Sequence, residues 1–222
     1  MKRNHKGFTL IEFVVIISIF AIMAAVALFN FAGFRSNVGL TNVVQDIALI
    51  IRQAQVFGWA TQTEVISPDA DPLRHSQGVY FAENGSDGYG KDIVLYSKLD
   101  TNPQNAMYFA GQDINVDTLK IQGSVRVVDI RVTDDKSKLK IDSDPANPNL
   151  IDTSTLSLAG NNVSVVFSRP RPEAMFFSGF NRIPEQYLGI YIASEKTCPI
   201  GNPCAYADRV ITISTFGEIG VQ

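Results

Sequence analysis

One long apolar run near the start of the chain constrains its fold more than any other feature. From Phe13 to Phe29 the only polar residue is Ser18, and the apolar character reaches back to Phe8 with Glu12 as its one charged residue. As a helix this segment would rise about 33 Å, close to the ~30 Å hydrocarbon thickness of a bilayer. The run therefore predicts a single membrane-spanning helix.

The residues in front of the run are basic and predict its orientation. Lys2, Arg3 and Lys6 precede Gly7, with no acidic residue among them. Cytoplasmic flanks of membrane helices are enriched in Lys and Arg, so we expect the N-terminus in the cytoplasm and the rest of the chain outside it. Removing these three of the 19 basic residues leaves 16 against 22 acidic ones, a net charge of −6. Such a charge argues against a surface that coats nucleic acid.

Glu12 is an acid within the apolar run. A charge on a lipid-facing helix costs about 3 kcal/mol on insertion scales, so such an acid normally has a partner. Thr9 and Ser18 can donate hydrogen bonds, but no Lys, Arg or His lies between Phe8 and Phe34. Cleavage just before Phe8 would create an α-amino group within about one helical turn of Glu12 in depth. The amine of one copy would then meet the carboxylate of its neighbour in a low-dielectric setting, which favours a staggered register.

The sequence around this cleavage point resembles a known signal. The segment KGFTLIE from Lys6 to Glu12, ahead of a long apolar helix, closely resembles the class III signal of type IV prepilins and type II secretion pseudopilins. The resemblance implies that a prepilin peptidase cleaves after Gly7 and N-methylates Phe8, and that Glu12 assists subunit docking. It also implies other pilin or pseudopilin subunits, an inner-membrane assembly platform and, before polymerisation, membrane lipid as partners.

Two other interpretations of this segment stay open. An ordinary secretory signal would have a small-x-small cleavage site after its apolar core, and the AAVA sequence from Ala24 to Ala27 offers one. The run is longer than the roughly 7–15 residues of such a core, and a carboxylate lies near its beginning, which disfavours that interpretation. A permanent membrane anchor would instead keep its first seven residues.

Helical periodicity continues beyond the span. Apolar residues recur at alternating spacings of four and three along one face: Val43, Ile47, Ile50, Ala54 and Phe57. The stripe predicts one helix from Phe8 to about Ala60, whose second half covers a sheet. Docking of a partner helix on this stripe is the less favoured alternative.

The chain beyond Thr61 is predicted to be β-rich, because prolines and glycines punctuate short apolar runs. We predict eight strands: Gly78–Ala82, Asp92–Tyr96, Thr118–Ile121, Ser124–Val132, Val163–Phe167, Leu188–Ala193, Arg209–Ser214 and Glu218–Val221. Apolar parity switches between Val127 and Val128, which predicts a bulge or a bend. The fold class is therefore α+β, with one long helix packed on an antiparallel sheet.

This arrangement resembles the pilin fold and, more specifically, minor pseudopilins of the GspH/FimT type. The similarity rests on Asp46–Ala60, on the Val-Val-Phe-Ser sequence at 165–168 and on the closing segment Arg209–Ile219. It implies a leader at residues 1–7 that is removed, a helix at 8–60 with a transmembrane part at 8–29, and an extracytoplasmic domain at 61–222.

The two cysteines predict a disulfide. Cys198 and Cys204 frame the sequence CPIGNPC, whose prolines and glycine bend the chain back, and a disulfide would imply an oxidising compartment. Two reduced thiols are the alternative. A zinc site is not expected, because it needs about four N or S ligands and His75 is the only histidine outside the leader.

No enzymatic site or cofactor is predicted. The oxygen-rich stretches Glu83–Asp92 and Asp142–Asn149 lack the spacing of a calcium-binding EF-hand and are expected to be turns. No nucleophile elbow, phosphate-binding loop or zinc-protease helix is present in the sequence. The favoured function is a structural subunit, a minor one, of a type IV pilus or type II secretion pseudopilus.

A binding module at the filament tip is the alternative function, capturing DNA or a surface. Its candidate contacts are Arg169, Arg171 and Arg182, the one local basic cluster that stands out. The resemblance implies that DNA is not an expected partner, because members implicated in DNA uptake are associated with basic, glycine-containing C-terminal segments, whereas the tail Gly217–Gln222 contains no basic residue.

Overall fold

The computed structural model describes residues 9–59, 76–83, 89–98, 107–141, 151, 157–158, 162–167, 173–179, 181–194, 196–198 and 206–222. One long helix, α1, runs from Leu10 to Trp59, within one residue of the predicted end. The chain divides into two compact units, Met1–Gly39 and Leu40–Gln222. Within the described residues, the first unit consists of the N-terminal part of α1.

The second part of α1 packs as predicted. Ile47, Ile50 and Ala54 are buried, and Val43 and Phe57 are partly buried against the same core. Further buried helix residues extend this face: Leu40, Val44 and Ile51. The apolar stripe therefore belongs to the protein's own core, which confirms the favoured interpretation over a partner-helix site.

The β-rich part forms two antiparallel sheets where the sequence predicted one. The strands are β1 Gln77–Glu83, β2 Tyr89–Ser97, β3 Ile114–Lys120, β4 Val125–Thr133, β5 Ser157–Leu158, β6 Val163–Phe167, β7 Ala174–Ser178, β8 Asn181–Ile183, β9 Tyr187–Ser194, β10 Arg209–Ser214 and β11 Ile219–Val221. One sheet has the order β3-β2-β1-β6-β7-β8 and the other β11-β10-β9-β4-β5. Residues of α1 and of both sheets share the main core, so the α+β class is confirmed.

All eight predicted strands are present, and β6 and β10 have the predicted bounds. The sequence prediction missed β5, β7 and β8. The run Ala174–Ser178 forms β7 beside β6, and Asn181–Ile183 returns as β8 along its other edge. Short edge strands such as β8 contain few residues with strand preference. They form because a neighbouring strand offers backbone hydrogen bonds, so the local sequence does not predict them.

The predicted bulge in β4 is confirmed. Val127 pairs with Ile192, but the next paired residue on β4 is Asp129, opposite Tyr191, so Val128 is the extra residue. The shift lets Val127 and Ile130 both face the main core, although they differ in parity. Val128 packs instead in a smaller cluster on the other side of the sheet.

A segment from Met107 to Asp113, here called the strap, covers part of the first sheet. The Lys98 ammonium lies 3.0 Å from Asp113 Oδ2, donates to the Met107 carbonyl at 2.8 Å and lies over the Phe109 ring. Both side chains of the ion pair are at most 3% exposed. Because both charges are buried, removing one of the two side chains is expected to cost more than breaking an exposed ion pair.

Candidate functional site

The first turn of α1 is closed by a reciprocal pair of hydrogen bonds. The Glu12 backbone N–H donates to Thr9 Oγ1 at 3.4 Å, and the Thr9 backbone N–H donates to Glu12 Oε2 at 3.3 Å. The Thr9 hydroxyl lies 3.2 Å from the same carboxylate oxygen, and the Thr9 carbonyl accepts from Phe13. Thr9 is thus the N-cap and Glu12 the third helical residue of a capping box.

This geometry explains how Glu12 is held at the start of an apolar helix. The carboxylate lies at the positive end of the helix dipole and receives two donors from Thr9 on one oxygen, Oε2. Within the described residues, no donor contacts Oε1.

The segment that contains Glu12 near its start has the length and composition of a membrane span. Leu10–Ala27 has a mean hydropathy of 2.7 over 18 residues, and none of it is buried inside the protein. A helix of this length rises about 27 Å, near the thickness of a bilayer's hydrocarbon core. Ser18 is compatible with lipid, because its hydroxyl donates to the Val14 carbonyl at 2.8 Å.

Several predicted site residues lie outside the described part of the chain. Gly7, Phe8, Cys204, Arg169 and Arg171 are among them. Cleavage, methylation, the disulfide and the basic cluster therefore stay predictions.

Two other predicted site residues are described. Cys198 is 1% exposed and accepts a hydrogen bond from the buried Arg126 guanidinium, Nη2 to Sγ, at 3.0 Å. Arg182 is exposed on β8, opposite Phe177 of β7. Among the described residues, no group of three His, Cys, Asp or Glu side chains is arranged to hold a metal ion.

The capping role of Thr9 was not predicted from the sequence, although Thr9 followed three residues later by Glu12, ahead of an apolar run, is a recognisable capping-box signature. The buried pair of Lys98 and Asp113 was not predicted either, because the sequence carries no local signal for it.

Comparison with known families bears on the N-terminal segment. Residues 2–28 match the family described as the prokaryotic N-terminal methylation motif. The chain therefore carries the N-terminal signal of type IV prepilins and pseudopilins, as the resemblance implied. A helix followed by antiparallel sheets is consistent with the α+β pilin fold. No curated protein and no solved structure matches the chain.

The motif supports a pilin-like or pseudopilin-like subunit, anchored in a membrane by one span. It points to a structural subunit rather than an enzyme, and it implies processing by a prepilin peptidase and assembly with other pilin subunits.

Proposed function

We propose that this chain is a minor, non-catalytic structural subunit of a type IV pilus or type II secretion pseudopilus. Prepilin peptidase cleaves it after Gly7 and methylates Phe8. The mature helix is held in the inner membrane with its N-terminus at the cytoplasmic side, and then enters an extracytoplasmic filament. One observation carries the proposal: a methylation motif leads into an exposed apolar span, Leu10–Ala27, whose one acid, Glu12, is fixed at the first turn of the helix.

Thr9 lowers the cost of keeping Glu12 in lipid before assembly. A charge in that setting costs about 3 kcal/mol, whereas a helix cap contributes about 1 kcal/mol. The capping box therefore offsets only part of the cost, so a further partner would still stabilise the Glu12 carboxylate. That partner is the α-amino group of Phe8 on a neighbouring subunit.

Docking uses Glu12 Oε1, the carboxylate oxygen that accepts no hydrogen bond from Thr9. Glu12 Oε2 receives both donors of Thr9, so Oε1 faces an incoming amine without loss of the cap. In the dry interior of a filament the attraction between a carboxylate and an amine is several-fold stronger than in water. Proteolysis thus controls assembly, because only the cleaved chain has a charged terminus next to Thr9.

Intact-mass measurement after co-expression with a prepilin peptidase tests the processing step. We expect a membrane-extracted product that begins at Phe8 and carries one added methyl group. Expression without the peptidase is the control and should give the full-length chain. A mature product that begins after Ala27, or one that keeps its first seven residues in the presence of active peptidase, contradicts the proposal.

A further inference from the structure

The strand β11 forms one edge of its sheet. It stands first in the order β11-β10-β9-β4-β5, so β10 is its one neighbour in that sheet among the described strands. The Gln222 N–H donates to the Val210 carbonyl at 3.0 Å, and the Val210 N–H donates back to the Gln222 carbonyl at 3.1 Å. At the other end of the strand, the Ser214 N–H donates to the Glu218 carbonyl at 2.9 Å. The ladder with β10 therefore runs from Glu218 to Gln222.

Two residues of β11 direct their backbone polar groups away from β10. In an antiparallel pair, successive residues point their N–H and C=O groups alternately toward the partner strand and away from it. Because Glu218 and Gln222 point toward β10, Ile219 and Val221 point away from it. Within the part of the chain that the structure describes, no hydrogen bond engages these outward groups. The edge thus presents N–H and C=O groups at the spacing that an added strand requires.

The edges at β3, β8 and β5 are protected against pairing with another chain, whereas the edge at β11 is not. On β3 the Thr118 N–H, which points away from β2, donates to Asp117 Oδ1 at 2.7 Å, and Lys120 is exposed. The strand β8 carries the exposed Arg182 at its centre, and β5 is only 2 residues long. Charged side chains, local capping and short length are common protections of edge strands. The sequence of β11, Ile219–Val221, contains no charge and no proline, and its pairing with β10 has no bulge.

The side chains at this edge are apolar or paired. Val221 is 51% exposed, and Ile219 on the same face of the strand packs partly against the main core. Phe216, in the turn before β11, is 72% exposed. The one charged residue from 214 to 222 is Glu218, whose Oε1 lies 2.6 Å from Lys136 Nζ. An added strand would therefore cover apolar surface without isolating an unpaired charge.

We propose that the β11 edge binds an extended segment of a different subunit of the same filament, which adds to the sheet as a further strand. The segment pairs through its backbone with Ile219 and Val221, and its uncharged, apolar side chains at alternate positions lie beside theirs. A charge at those positions of the segment would be desolvated without a partner, which limits the edge to apolar segments. The inference rests on the proposed function, because a minor subunit is bordered in the filament by other subunits rather than by copies of itself.

Photo-cross-linking of the full chain, in cells that contain the peptidase and the assembly platform, tests this contact. The variant Gln222→p-benzoylphenylalanine carries the cross-linker next to the edge. In sheared filaments we expect an adduct whose cross-linked peptide, identified by mass spectrometry, belongs to another filament subunit. Adding Val221→Pro removes an outward N–H but no bond to β10, so the adduct should fall by at least about fivefold, the factor that one net hydrogen bond supplies. Adding Val221→Thr keeps the N–H and the branched shape and should leave the adduct at the parental level.

A second variant keeps the test decisive if proline at this position lowers the thermal stability of the chain. Val221→Lys leaves the backbone intact and places a charge at the edge, as Lys120 and Arg182 do on β3 and β8, so it should also lower the adduct. An adduct that both Val221→Pro and Val221→Lys leave unchanged overturns the proposal. An adduct with a second copy of this chain, an adduct with lipid alone, or no adduct at all overturns it as well.

The outcomes separate this inference from the proposed function. A parent chain that is never cleaved after Gly7 or never enters filaments overturns both. A parent chain that is processed and incorporated normally, but gives no adduct that responds to Val221→Pro or Val221→Lys, leaves the proposed function standing and refutes strand addition at β11.

Discussion

Replacing Asp113 with alanine would remove a buried carboxylate that lies 3.0 Å from the Lys98 ammonium. The two side chains are 3% and 2% exposed and 3.0 Å apart, so neither charge is solvated by bulk water. Breaking a buried pair on one side costs about 3–5 kcal/mol. A whole domain is stable by only about 5–15 kcal/mol, so we expect a large fraction of the free energy of unfolding to be lost.

Urea unfolding of the detergent-solubilised full chain, followed by near-ultraviolet circular dichroism, measures this loss. The ring of Tyr108, which belongs to the strap, lies 5.1 Å from the ring of Tyr80 and 5.1 Å from the ring of Tyr96, measured between centroids, so these tyrosines should report detachment of the strap. The double variant Lys98→Met/Asp113→Leu should recover most of the stability, because it removes both charges and keeps apolar volume.

An exposed ion pair in the same protein provides the matched control. Lys136 Nζ lies only 2.6 Å from Glu218 Oε1, but the side chains are 38% and 64% exposed. Glu218→Ala should therefore cost less than about 1 kcal/mol in spite of the shorter distance. A loss for Asp113→Ala that is no larger than the loss for Glu218→Ala would show that burial does not raise the cost of breaking the pair of Lys98 and Asp113.

Three further predictions follow from local geometry. Gly58→Ala should destabilise the protein by about 1–3 kcal/mol in thermal unfolding, since the added Cβ would lie 2.8 Å from Phe167 Cβ. In the control variant Gly39→Ala the added Cβ meets nothing within 4 Å, so this change should be neutral or stabilising. Burial raises the pKa of the Tyr96 hydroxyl. The contribution of the neutral hydroxyl to stability is therefore present below about pH 10 and is lost as the pH rises further. Tyrosinate absorbance at 295 nm measures this ionisation, and a Tyr96 that ionises like free tyrosine would contradict the raised pKa. Thr9→Val should weaken the first turn of α1 by about 1 kcal/mol, and Thr9→Ser should not, because only serine keeps the capping hydroxyl. Amide hydrogen exchange in detergent measures the difference, and equal exchange in both variants would exclude the capping box.

Features that depend on local periodicity were predictable from the sequence. The long apolar segment follows from an almost uninterrupted run of apolar residues, and the stripe through Ile47 and Ala54 follows from their helical spacing; both lie in α1. The parity switch at Val128 correctly predicted the bulge, because a strand that keeps one face buried must insert a residue where its apolar pattern changes phase.

Features that depend on tertiary pairing were not predictable. Lys98 looks like an ordinary surface lysine in the sequence, and the return of the chain at Asp113 gives it a buried carboxylate partner. The donation of Arg126 to Cys198 joins residues 72 positions apart for the same reason. The division into two sheets also has no local signal, because short strands with similar composition can pair in several orders.

The most direct test of the account replaces Glu12 with glutamine in cells that contain the peptidase and the assembly platform. Glutamine keeps the size and can still accept hydrogen bonds from Thr9, but it cannot form an ion pair with the amine of Phe8. We predict a chain that is cleaved and methylated normally, yet is absent from sheared filaments while the parent chain is present. Incorporation of Glu12→Gln at the parental level would contradict electrostatic docking at the centre of the account.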